Sequence, residues 1–250
     1  MKKKMKAEYD NIAEAYANTQ DERIAKKYIY KPSLLKAIGD IKNKKIIDLG
    51  CGDGFFTREI KLLGASEVIG VDLSPEMIML ANEKEKENPL GIRYEVGDIS
   101  KLNKLGEFDM AVGGFILHYS QTKEELFGMC KSIYSNLKSG GKIVAINNNP
   151  DHPETKAHQY NEVSVKAEDG KLIEGSKMKV TLIIGGKDIC SFYNYFWTKE
   201  TYEKCLRDAG FKDIKWLPLS VSAEGVEKYG NEFWNEWYEN PYLVIIEATK

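Results

Sequence analysis

Residues 46–54 read Ile-Ile-Asp-Leu-Gly-Cys-Gly-Asp-Gly, an apolar run that passes directly into glycines at alternate positions, Gly50, Gly52 and Gly54. Such a run, too short for a helix and followed by three residues without a Cβ, is read as a buried parallel β-strand. Its carboxyl end turns tightly and lets backbone approach a ligand. Twenty residues past Gly52 a second apolar run, Glu67-Val-Ile-Gly-Val, ends on Asp72. A carboxylate therefore stands at the tip of the next strand, where a ribose lies in nucleoside-binding sheets. The glycines follow G-x-G-x-G, whereas a pyrophosphate-binding dinucleotide loop follows G-x-G-x-x-G. Two acids, Asp48 and Asp53, accompany the loop; they disfavour pyrophosphate and suit a ligand carrying ammonium or sulfonium charge.

Further segments follow in a fixed order: Val68-Ile-Gly-Val-Asp72-Leu-Ser-Pro-Glu-Met-Ile, Tyr94-Glu-Val-Gly-Asp98-Ile99, Phe108-Asp-Met-Ala-Val-Gly-Gly-Phe-Ile-Leu-His118, and Leu137-Lys-Ser-Gly-Gly-Lys-Ile-Val-Ala-Ile. With the glycine loop they resemble the motifs of the class I S-adenosylmethionine-dependent methyltransferases, over roughly residues 8 to 150. The resemblance implies S-adenosyl-L-methionine as cofactor and S-adenosyl-L-homocysteine as product. It implies that Asp48, Gly50 and Gly52 form the cofactor loop, that Asp72 holds the ribose hydroxyls, and that Leu73 packs on adenine with Met77 in the same motif. By the same resemblance Asp98 and Ile99 meet the adenine edge, and Gly113, Gly114 and Phe115 flank the methionine portion. The segment Tyr9-Asp-Asn-Ile-Ala-Glu-Ala-Tyr16 resembles the short helix that small-molecule members lay over the cofactor. Tyr9 and Tyr16, seven apart, share one of its faces. Tyr16 is assigned to the cofactor and Tyr9 to the substrate.

Strand-like runs at Ile46 to Leu49, Val68 to Asp72, Ile92 to Val96, Met110 to Leu117 and Lys142 to Ile146 alternate with helical stretches at Gly54 to Leu63, Pro75 to Glu87 and Lys123 to Leu137. This predicts an α/β fold with a mostly parallel sheet and helices on both faces. The resemblance makes it Rossmann-like, with seven strands and an antiparallel last strand. Beyond Ile146 a polar loop leads to strand-like segments at Glu162 to Lys166, Lys177 to Ile184 and Asp188 to Trp197, joined by glycine-containing turns of hairpin type. They are expected to form a small antiparallel β cover over the substrate. A helix over Lys199 to Ala209, stopped by Gly210, precedes the last strands. The expected organisation is one domain over 1–250, with an N-terminal helical lid (1–40) and the cover (150–198) inserted within it.

Within the cover, Phe192-Tyr193-Asn194-Tyr195-Phe196-Trp197 alternates two sets of side chains. One set is expected to fill core, and the other offers Tyr195 to a flat substrate. Phe115, Tyr119 and Asn148, after the fourth and fifth strands, are the remaining substrate candidates. The three histidines, His118, His152 and His158, all follow the fourth or fifth strand. His118 is the candidate general base, since imidazole titrates near neutrality. His152 and His158 lie six apart with no cysteine beside them, which matches no metal-ligand spacing, and no metal is expected.

The 250 residues carry 36 Lys and Arg against 38 Asp and Glu, a net charge of −2. Only Arg23, Arg58, Arg93 and Arg207 are arginines, and no basic cluster marks a nucleic-acid surface. No apolar run reaches the ~20 residues of a membrane span, and the basic start lacks the apolar stretch of a signal peptide. A cytoplasmic monomer or homodimer acting on a small molecule, without nucleic-acid or membrane partners, is expected. Its four cysteines show no C-x-x-C pair and are expected to be reduced packing thiols. The acceptor is expected to be small, flat or aromatic, and methylated on nitrogen, oxygen or carbon; a loose likeness to the enzymes of toxoflavin precursors rests on Leu117-His118-Tyr119 and the aromatic cover. Two alternatives are a nucleoside-binding protein or partner subunit without turnover and, against the glycine spacing, an NAD-dependent oxidoreductase.

Overall fold

The computed structural model describes residues 23–160 and 162–250. Five strands run parallel: β1 (Lys45–Leu49), β2 (Glu67–Asp72), β3 (Arg93–Val96), β4 (Phe108–Gly114) and β5 (Leu137–Asn148). With β9 (Lys212–Pro218) and β10 (Leu243–Thr249) they form a seven-stranded sheet in the order β3-β2-β1-β4-β5-β10-β9, in which β10 runs antiparallel to both neighbours. The order reverses between β1 and β4, and the crevice at such a switch point is where α/β sheets bind ligands.

Period-two alternation assigns the strand residues to two layers. Ile46, Met110, Val112, Val144 and Ile146 face one side, against α1 (Lys31–Ile38) and α2 (Phe55–Leu62). Ile47, Ala111, Ile143 and Ala145 face the other, against α4 (Lys123–Asn136) and α5 (Lys199–Ala209). Helix starts follow local chemistry. Ser74 accepts from the Met77 N–H to cap α3 (Pro75–Glu87), with Pro75 in its first turn, while Thr122 and Thr198 cap α4 and α5 in the same way. Gly210, at φ 111°, ends α5 as its position predicts. Two short helices, α6 (Ala223–Tyr229) and α7 (Asn235–Glu239), flank a 3-10 turn over Glu232–Trp234; Trp234 of the turn and Trp237 of α7 enter the first layer's core.

Several strand ends depart from the sequence expectation: β5 begins at Leu137 instead of Lys142 and runs on to Asn148, and the last strand of the antiparallel cover ends at Tyr195 instead of Trp197. β4 stops at Gly114 instead of Leu117, because Phe115 takes the left-handed conformation at φ 70° and Leu117–Tyr119 form a single 3-10 turn. A bulky residue in that region costs about 1–3 kcal/mol and persists only where its surroundings enforce it. Here the Phe115 N–H donates to the Ile146 carbonyl, 3.0 Å away.

The cover is a second, antiparallel sheet of β6 (Val163–Ala167), β7 (Lys177–Ile184) and β8 (Lys187–Tyr195), order β6-β7-β8. A two-residue Gly185-Gly186 turn, both at positive φ, closes the β7–β8 hairpin. Register fixes a row of three inward residues on each strand: Val163, Val165 and Ala167 oppose Leu182, Val180 and Met178, which oppose Cys190, Phe192 and Asn194. All of these except Asn194 join the apolar cluster of the main sheet's first layer.

Candidate active site

The loop after β1 is held from behind. The N–H groups of Gly50 and Cys51 both donate to the Val71 carbonyl, at 2.8 and 3.1 Å, which ties the loop to the end of β2. The Asp72 carboxylate then accepts from the Gly52 N–H at 2.8 Å and from the Ser74 N–H at 2.9 Å. Gly50 and Gly52 both adopt positive φ, 66° and 55°, but for different purposes. A Cβ on Gly50 would stand 2.5 Å from Ile116 Cγ2, whereas a Cβ on Gly52 would meet no atom of the described residues within 4 Å. Gly50 is packed from within, and Gly52 presents bare backbone to open space.

That open cradle beside an anchored carboxylate fits the nucleoside part of S-adenosylmethionine. Leu73 is half-buried beyond Asp72, and Met77 is buried in the first turn of α3. Asp98 accepts from both the N–H and the hydroxyl of Ser100, and Ile99 is buried behind it. Burial alone would raise the Asp98 pKa, but hydrogen bonds from Ser100 and Lys101 outweigh it, so the carboxyl stays ionised. Gly113 abuts the loop: a Cβ there would lie 2.6 Å from Ile116 Cδ1 and 3.4 Å from the Leu49 carbonyl oxygen. Neither acid that accompanies the loop presents to a ligand the free charge that the sequence suggests. Asp53 is buried and ion-paired with Lys84 of α3, so its charge is spent within the protein.

Asp48 is fully buried and accepts the Thr57 hydroxyl at 2.6 Å. Desolvation pushes its pKa up to about 7, opposed by the Thr57 hydrogen bond and aided by the nearby Asp72 charge. Since the folded value lies above the unfolded one, folding retains a proton that the unfolded chain has lost. Stability therefore falls as pH rises from about 4 through 7. Asp48→Asn, which mimics the protonated acid, is expected to raise Tm relative to the parent at pH 8 and to leave little difference at pH 4. Calorimetric scans at both pH values check this.

Between the carboxyl ends of β4 and β5 and the inward face of the cover lies a cleft of about 480 Å³, open solvent included. Phe115, His118, Tyr119 and Asn148 line its main-sheet side. Tyr30, Tyr242 and Arg23 close it, the two tyrosine hydroxyls being hydrogen-bonded to each other. His118 is 1% exposed, its ring between those of Phe115 and Tyr119 at 6.2 and 4.9 Å. Asn147 donates its amide to the Asn148 carbonyl at 3.1 Å, which turns its oxygen toward His118 Nδ1 at 2.9 Å. The Asn148 backbone N–H also donates to Nδ1, at 3.3 Å, so Nδ1 meets both a donor and an amide oxygen and the ring is held in place from that side. Desolvation lowers the His118 pKa to about 4 despite the Asn147 hydrogen bond, so the ring is neutral at physiological pH.

Of the other sequence candidates, Tyr195 lines a second, smaller cleft of about 210 Å³ with Pro150, Pro153 and Trp197, and Tyr9 and Tyr16 lie outside the described residues. His152 bonds Asn240 at 3.0 Å and His158 pairs with Glu236 at 2.6 Å, both tying the loop after β5 to the C-terminal segment. Among the described residues, no three His, Cys, Asp or Glu side chains gather as metal ligands would. The four cysteines are unpaired thiols, three of them buried. Asn147, Tyr30 and Tyr242 also belong to the site and are absent from the sequence candidates. The run Asn147-Asn148-Asn149 after an apolar strand was the available signal for the first, but which amide faces the histidine depends on pairing with β10.

Residues 46–141 match the methyltransferase domain family. An uncharacterized protein of Haemophilus influenzae is 31% identical over 159 residues, spanning 61% of this chain and 60% of that protein. N-demethylindolmycin N-methyltransferase of Streptomyces griseus is 28% identical over 187 residues, 73% of this chain and 76% of the relative. Among solved structures, an S-adenosylmethionine-dependent methyltransferase of Mesorhizobium loti superposes with a TM-score of 0.65 at 22% identity, covering 92% of this chain and 100% of that one. One from Clostridium acetobutylicum gives 0.67 at 20% identity over 94% and 98%.

Proposed function

We propose that this chain, a class I S-adenosylmethionine-dependent methyltransferase by its domain and its fold, methylates a nitrogen, oxygen or carbon of a small, flat acceptor held in the cavity beside His118. When bound, the cofactor supplies an electrophilic methyl on a sulfonium sulfur. Asp72, the Gly52 backbone, Leu73 and Asp98 would hold it. One observation carries the reading: the turn from Gly113 to Tyr119 serves both sides. Ile116 fills the space against Gly50 and Gly113 behind the loop, while Phe115, His118 and Tyr119 line the cavity. Loop and cavity thus meet at one strand end, and the protein's contribution is chiefly to place two reactants together, an effect that reaches roughly 7–11 kcal/mol.

Within that arrangement the neutral His118 ring takes the proton of an acceptor that must lose one, and Asn147 with the Asn148 N–H holds the ring in place. Because the imidazole is already neutral above about pH 5, His118 should impose no rate change between pH 6 and 8, and its loss of function should appear only as pH falls toward about 4. Asn147→Leu should lower kcat by about tenfold or more, as loss of an orienting partner does, with the affinity for S-adenosylhomocysteine unchanged. The reading as a whole is tested by calorimetric titration with S-adenosylhomocysteine beside NAD, followed by mass-spectrometric detection of S-adenosylhomocysteine formed with a panel of heteroaromatic amines, phenols and lactams. Binding of NAD alone, or cofactor binding without turnover of any acceptor, would overturn it.

A further inference from the structure

The inward face of the cover takes three side chains from each strand, and Asn194 is the polar one among them. It is 3% exposed, lines the cavity, and its carbonyl oxygen has no hydrogen-bond partner among the described residues. Its neighbours on that face, Phe192 beside it and Val180 on the adjoining strand, are buried and apolar. A carboxamide desolvated without a partner is destabilising, and an apolar side chain of similar size would suit this face better. Tyr30 and Tyr242 bond each other, and Asn148 and His118 are engaged at the opposite wall. Arg23, the charged group among the described lining residues, stands 3.8 Å from Glu162, so the cavity holds countered charge.

We propose that Asn194 is a specificity-determining residue, reading an acceptor that carries an N–H beside a carbonyl, a lactam or cis-amide edge. Such an edge donates to the carboxamide oxygen and accepts from its NH2, completing both halves of the group in one plane. The rest of the acceptor is then apolar and neutral, lying between Phe192 of the cover and Phe115 of the main sheet. The inference rests on the methyltransferase reading for the location of the acceptor, and deepens it by naming the acceptor's chemical class.

The probes are 2-quinolone, N-methyl-2-quinolone and quinoline, titrated into the full chain saturated with S-adenosylhomocysteine and followed by ligand-observed NMR, with parent and Asn194→Leu proteins compared. A site built around a hydrogen bond rejects analogues lacking it by large factors. The parent should prefer 2-quinolone over both analogues by at least about tenfold, and Asn194→Leu should abolish that preference. The same variant should bind S-adenosylhomocysteine as the parent does and melt at the same or a higher temperature, because it removes an unsatisfied buried group. Equal binding of the three probes, binding of none, or a preference that survives in Asn194→Leu or in the second variant Asn194→Ala would overturn the assignment. Failure of S-adenosylhomocysteine to bind the parent would instead overturn the functional reading beneath it.

Discussion

Asp72→Ala is expected to weaken S-adenosylhomocysteine binding by about two orders of magnitude. The carboxylate has two tasks in the structure. It accepts the Gly52 and Ser74 N–H groups, at 2.8 and 2.9 Å, and so fixes the loop against the start of α3. It also stands half-buried at the tip of β2, and a carboxylate offers about four lone-pair sites, to which ribose hydroxyls can donate. Hydrogen bonds to a charged group contribute about 1.5–3 kcal/mol each, and losing the equivalent of one or two from the complex gives roughly 2.7 kcal/mol, a hundredfold. Asp72→Asn separates the tasks: it keeps an acceptor for one loop N–H, removes the charge, and should fall between parent and alanine. Titration calorimetry with S-adenosylhomocysteine on the three proteins checks the order. An unchanged affinity in Asp72→Ala would remove the nucleoside assignment of the loop.

How much of this site the sequence discloses depends on the range of the interactions that build it. The α3 boundaries, Pro75 to Glu87, follow from Ser74 and Pro75, neighbours in the chain, and match the expected span. The alternation of strands and helices is equally local, because each buried strand is a continuous apolar run. The seven-stranded order then follows from the family the motifs resemble. The bend at Phe115 is not disclosed, since phenylalanine carries no preference for positive φ; the conformation is imposed by the Ile146 carbonyl on β5 and by packing against Tyr30. Asp53 reads as a charge facing a ligand until Lys84, thirty-one residues on, neutralises it. The choice between Asn147 and Asn148 as the partner of His118 rests on register with Val244 and Leu243, almost a hundred residues away. Asn194 was visible as the polar member of its alternating set. That its oxygen lacks a partner becomes visible only when three strands come together.

The paired substitutions Gly50→Ala and Gly52→Ala should fail in opposite ways, although the glycines are two residues apart and share the left-handed conformation. In both, an alanine at positive φ costs about 1–2 kcal/mol. At Gly50 the new methyl also enters the space of Ile116 Cγ2, 2.5 Å away. Isoleucine is branched at Cβ and fully packed, so its γ-methyl cannot swing aside without a change of rotamer, and overpacking of this kind costs a further 1–3 kcal/mol or so. Gly50→Ala should therefore lose about 2–5 kcal/mol of stability in denaturant titrations. Because Ile116 backs Phe115 and His118, it should also disturb the acceptor wall. At Gly52 the methyl meets no atom of the described residues within 4 Å, so the stability loss should stay near the conformational cost alone. The space it enters is the space that a bound nucleoside needs, and S-adenosylhomocysteine affinity should fall at least about tenfold. If both variants lost stability equally and both kept the ligand, the open side of Gly52 would not face the cofactor, and the loop would be a structural turn like any other.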